Sequence, residues 1–132
     1  MKNENAEIIE ITNESIKERI YEIRGQKVML DFDLAKIYGY ETKRFNEQVK
    51  NNINKFPDDF MFKLTTVEFK DCVRSKKSAT QLWSDGSGGR VYLPYAFTEQ
   101  GIYMLMTVLK GELATRQSKA LIRLFKLYCA SR

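Results

Sequence analysis

The stretch LAKIYGYETKRFNEQVKNNINKF, residues 34–56, decides how this chain is read. Asp31 or Asp33 is placed to cap a short helix over residues 33–38, and Gly39 closes it as a C-cap residue. After a brief turn, Thr42 caps a second helix running to about residue 54, and Pro57 stops it. Phe45, Val49 and Ile53 recur every four residues and form its inward stripe. A short helix, a glycine turn and a longer helix make a helix-turn-helix-like pair.

The inward stripe determines what the second helix shows to solvent. At about 100° per residue, Arg44, Glu47, Gln48 and Asn51 point away from the core, flanked by Lys43 and Lys50. These side chains suit base readout: arginine forks onto guanine, asparagine and glutamine bond adenine, and glutamate accepts from cytosine. Lys43, Lys50 and Lys55 are then expected near phosphates. The same residue types also populate any solvated helix face, so the pattern alone fits a plain surface helix as well.

Outward from that stretch, elements alternate. IYEIRGQKVML, residues 20–30, places a turn signal between two β-prone runs and reads as a hairpin. Residues 13–19 read as a short helix or a lead-in loop. In DDFMFKL, Phe60, Phe62 and Leu64 fall on one strand face and Met61 and Lys63 on the other. Thr65 or Thr66 with Glu68 starts another helix, with Val67, Phe69, Cys72 and Val73 as inward candidates. Residues 76–90 read as a loop. RVYLPYAF is a short strand, which Pro94 places at a sheet edge or near the strand's own end. Thr98 opens an apolar helix expected to be central and buried, Gly111 breaks it, and a last helix runs from about 114 to 130. The fold class expected is α+β: one small domain with short strands and hairpins packed on about five helices. An acidic lead covers residues 1–19 and the domain proper residues 20–132.

Composition narrows the chemistry. The chain has 132 residues, 43% of them hydrophobic, enough for one domain with a real core. It contains no histidine, which removes histidine general bases, Ser-His and Cys-His nucleophile pairs, and imidazole metal sites. Cys72 and Cys129 stand far apart and read as small core hydrophobes. No enzyme activity, cofactor or metal is expected. The polar, acidic start and the lack of a long apolar run point to the cytoplasm and away from a membrane.

Charge is uneven. Residues 1–22 hold three Lys/Arg and six Glu, a net of −3, whereas residues 23–132 hold 19 Lys/Arg and 11 Asp/Glu, a net of +8. A basic body favours a polyanionic partner. Two further clusters could touch phosphates. Arg116, Lys119, Arg123 and Lys126 form a stripe on the last helix, beside an apolar face of Ala120, Leu121, Leu124, Leu127 and Tyr128. Lys70, Arg74, Lys76, Lys77 and Arg90 flank the loop that carries Trp83. A solvated surface is the favoured reading of either cluster. Ile122 and Phe125 fall outside the apolar stripe and mark a candidate subunit contact, as in a homodimer.

Three segments, IRGQKVMLDFDLAKIYG, TKRFNEQVKNNINKFPDDFMFKLT and GGRVYLPYAFTEQGIYML, together resemble the phage antirepressor-type domain called ORF-six-N, a relative of KilA-N and Bro-N domains. With the last helix the resemblance covers about residues 20–130. It implies a small α+β domain of bacterial phage and prophage transcription regulators, DNA-binding and without catalytic activity. On this chain it places the DNA-contacting segment at Lys43, Arg44, Gln48, Lys50 and Asn51. In the family pattern a basic residue often stands at the position of Asn51, and arginine at that of Lys55. This helix is therefore less cationic than the pattern. The partner expected is double-stranded DNA. The alternative is a protein-interaction module that captures a repressor without reading DNA.

Overall fold

The computed structural model describes residues 10–75 and 93–130. Its chain order begins with helix α1 (Asn13–Lys17), strands β1 (Tyr21–Ile23) and β2 (Gln26–Leu30), and helices α2 (Asp31–Tyr38) and α3 (Thr42–Lys50). A 3₁₀ turn (Ile53–Lys55), strand β3 (Met61–Lys63) and helix α4 (Thr66–Ser75) follow. Strand β4 (Tyr95–Phe97) and helices α5 (Glu99–Leu105) and α6 (Glu112–Ala130) complete the described residues. The fold is α+β, with six α-helices and an antiparallel sheet ordered β1-β2-β4-β3 among the described residues.

The hairpin forms where its turn chemistry says it should. Arg24 and Gly25 both take positive φ, 56° and 76°, which a two-residue hairpin turn of the mirror-image kind requires. Glycine adopts this freely. Arg24 is held there by a two-pronged bond to Glu68 on α4, at 2.8 and 3.1 Å, with its guanidinium 4.1 Å above the Phe62 ring. Arg24 thus ties the hairpin tip to the helix below. Glu68 also closes the expected capping box: Thr65 N–H donates to its carboxylate (2.9 Å), and its own N–H donates to the Thr65 hydroxyl (3.2 Å). These bonds, Arg24's foremost, hold the Glu68 carboxyl below the usual range.

Around β4 the sheet is buried on both faces, so there β2 and β3 do not alternate apolar with polar; β1 does, with Glu22 exposed between buried Tyr21 and Ile23. Val28, Leu30, Phe62, Leu64 and Ala96 face Phe69 and Cys72 of α4. Met29, Met61 and Phe97 face the opposite core, filled by Leu34, Phe45, Ile102, Leu121 and Phe125 from the other helices. Several sequence expectations change here. Met61 is buried, and Phe60 packs on the core opposite Phe62 because it sits in the turn before β3, with its N–H on Pro57. β4 is internal rather than at an edge, and Pro94 stands at the strand's own end, the second of the two places expected for it; its carbonyl accepts from Leu64 N–H (3.0 Å). Val67 is 68% exposed on the outer side of α4.

The helices differ in detail too. Asp31 and Asp33 lie inside α2, buried, and neither caps it; the N-cap is Leu30. Gly39 does close α2, at φ 75°. α5 is shorter than expected, and Met106 beyond it is exposed. Thr98 caps α5, accepting from Gly101 N–H and donating to the Asp59 carbonyl (2.8 Å). Gly101 is there because a Cβ would meet the Phe60 carbonyl oxygen at 2.0 Å. α6 begins after Gly111, at φ 108°, and docks on α2: Tyr38 and Ser118 hydroxyls bond at 2.6 Å, and the Gln117 amide donates to the Ile37 carbonyl (2.8 Å). Phe125 is fully buried in this contact rather than free for a subunit interface, and Ile122 is half-buried.

Candidate nucleic-acid interface

α3 stands on α2 through its buried Phe45 and Val49. Phe45 meets Tyr40 and Phe97 edge-on, with ring centroids 6.4 and 5.8 Å apart. Its neighbour Asn46 faces inward and donates to the Asp31 carboxylate at 3.0 Å. That carboxylate also accepts the Tyr95 N–H (3.2 Å), so one buried aspartate joins α2, α3 and β4. The sequence suggested Asp31 as a cap; the structure uses it as the anchor that sets α3's rotation. Asp33 faces Arg19 instead, Nε to Oδ1 3.4 Å. Burial pushes the Asp33 carboxyl up to about 7 despite the opposing pull of Arg19 and Lys36.

With α3 so fixed, Lys43, Arg44, Glu47, Lys50 and Asn51 are exposed and Gln48 is half-buried. Among the described residues, no ion pair engages Lys43, Arg44 or Lys50. The exposed surface has two edges. At about 100° per residue, Arg44, Gln48 and Asn51 share one, and Lys43, Glu47 and Lys50 share the other.

The helix is shorter than the sequence suggested. It ends at Lys50, with Asn51 as C-cap, and Asn52 folds its side chain back onto the Gln48 carbonyl (2.9 Å). Chain direction changes there, so Ile53 leaves the inward stripe and is 53% exposed. Lys55 moves with it: it is half-buried and its ammonium lies on the Thr107 hydroxyl at 3.3 Å. Lys55 therefore belongs to the join between the 3₁₀ turn and the end of α5, not to the face of α3.

The other basic groups lie elsewhere. Arg116, Lys119, Arg123 and Lys126 are all exposed along α6, and α2 packs against both α3 and α6. Arg74 is paired with Asp71 at 2.6 Å. Lys76, Lys77, Arg90 and the Trp83 loop lie outside the described residues.

One feature was not legible in the sequence. Beside the lysine edge of α3 a cleft of about 670 Å³ opens toward β3 and β4. Its floor is Phe32, Val49, Ile53, Met61 and Tyr95, and Lys43, Lys50 and Lys63 stand on its rim with Glu47. It gathers residues from five elements, α2, α3, the 3₁₀ turn, β3 and β4, so no local sequence signal announces it. Among the described residues, no group of acidic and cysteine side chains could hold a metal ion. No helix of the described residues is long and apolar enough to cross a membrane.

The model of the ORF6N domain matches residues 18–108, a span that holds the hairpin, the α2–α3 pair, β3 and the β4–α5 unit. The chain belongs to the ORF6N family. This is a phage-type regulatory family. The match stops short of α6, although ORF6N residues of α2 pack directly on that helix. Comparison with curated proteins and with solved structures returns no match.

Proposed function

We propose that this ORF6N chain is the DNA-binding domain of a non-enzymatic, antirepressor-like phage or prophage regulator acting in the bacterial cytoplasm. The observation that carries the proposal is α3 itself: an edge of exposed Arg44 and Asn51 and half-buried Gln48 on a helix whose other side is locked by Phe45, Val49 and the Asn46–Asp31 bond. Base readout needs donors and acceptors held on a rigid element, because a floppy fork loses its geometric selectivity. Arg44 reads a guanine edge, Gln48 and Asn51 an adjacent base, and Lys43 and Lys50 neutralise phosphates on either side. The exposed α6 stripe lies on a different helix and supplies at most extra phosphate contact.

Selection of bound duplexes from a random-sequence pool tests the reading. The wild type should enrich a short site. Arg44→Ala should relax preference at one base position by about tenfold or more. Lys43→Ala should weaken all sequences alike. A pool that stays random with the wild type overturns the proposal.

A further inference from the structure

We infer that the cleft beside α3 is a docking site for an acidic, amphipathic peptide segment of a partner protein, a binding activity beyond the DNA reading, at a cleft whose rim shares Lys43 and Lys50 with the proposed phosphate contacts. The floor is apolar and open: Ile53, which lines it, is 53% exposed although its side chain has no polar atom to hydrate. A volume of about 670 Å³ is that of a site which accepts a few anchor side chains. The rim carries three ammonium groups, Lys43, Lys50 and Lys63, against the single carboxylate of Glu47. An occupant must therefore bring apolar groups to the centre and negative charge to the edges.

Duplex DNA brings only the second. Its convex, hydrated backbone offers no apolar side group to fill the floor. An unstacked base would need an exposed ring to lie on. Phe32 is buried, and the Lys63 ammonium already sits 5.5 Å over the Tyr95 ring. A peptide helix with apolar residues at i, i+4 and i+7 and glutamates alongside meets both demands, the helix-in-groove mode of recognition. Charge complementarity with three lysines selects the acidic version over a neutral or basic one.

The test is fluorescence anisotropy with three labelled helical peptides of about 16 residues. One carries leucines on one face and glutamates beside them. The second replaces the glutamates with lysines, and the third replaces the leucines with serines. The acidic leucine peptide should bind at least about tenfold more tightly than either control. Ile53→Ser and Lys63→Glu should each weaken it by about tenfold, with unchanged melting temperatures because both residues are exposed. Labelled duplex DNA, titrated in parallel, should bind Ile53→Ser as it binds wild type, so failure of DNA reading shows separately from failure of the docking site. The inference is overturned if the acidic peptide does not bind below about 1 mM. It is overturned equally if that peptide binds no better than the controls, or if Ile53→Ser weakens duplex DNA as much as peptide.

Discussion

Asp33 is a carboxyl enclosed by protein, with Arg19, Lys36 and Asp31 as its charged neighbours. Folded, it holds its proton to about pH 7; unfolded, it releases it near pH 4. Between those values the folded chain binds the extra proton, so Asp33's contribution to stability falls as pH rises through the window and levels off above about 7. Asp33→Asn should flatten that part of the profile and leave the substituted protein relatively more stable at pH 8 than at pH 5, read from melting temperatures across pH. An unchanged profile would mean that Asp33 is ionised throughout. Gly101 makes a different demand. A methyl group there would overlap the Phe60 carbonyl, so Gly101→Ala should destabilise by about 2 kcal/mol or more, measured by urea unfolding. An Ala variant as stable as wild type would contradict the close approach of α5 to the β3 turn.

At the scale of elements, several caps and turns were legible, though not the cap of α3: Thr42 is the first residue inside that helix and Glu41 is its N-cap, with no side-chain cap bond. The Arg24-Gly25 turn, Gly39 as the stop of α2, the Thr65–Glu68 box and the Thr98 cap are local devices, each set by a few neighbouring residues. Positions decided by distant partners were not. Asp31 looked like a cap because aspartate usually is one; Asn46 and the Tyr95 amide, remote in sequence, claim it instead. Ile53 looked inward because the period of four was continued past Asn51 and Asn52, where the helix has ended. Met61 looked outward because alternation assumes one wet face, and this sheet has none at that point. Thr98 gives a direct check on the caps. Thr98→Ala removes the cap of α5 and the bond to Asp59, and should cost about 1–2 kcal/mol in the same unfolding measurement. A neutral effect would remove the cap from the account.

For the whole molecule, two helices with exposed basic residues, α3 and α6, both pack on α2, and only α3 lies within the ORF6N match. α6 is nonetheless part of the core: Phe125→Ala should lower stability by about 3–5 kcal/mol without changing the mass seen by light scattering. A change in mass with intact stability would restore Phe125 to a subunit contact. The basic body gives any anion an attraction, so binding to DNA alone is weak support for α3; loss of binding on removing its exposed edge is strong support. The most direct measurement is therefore fluorescence anisotropy of a labelled duplex at about 50 and 200 mM salt, wild type beside Arg44→Ala/Lys50→Ala/Asn51→Ala. The account predicts wild-type binding that weakens by about tenfold or more between the two salts, and little binding at either by the triple variant. Equal binding by the two proteins, or no binding by either, would contradict α3 as a DNA-reading helix.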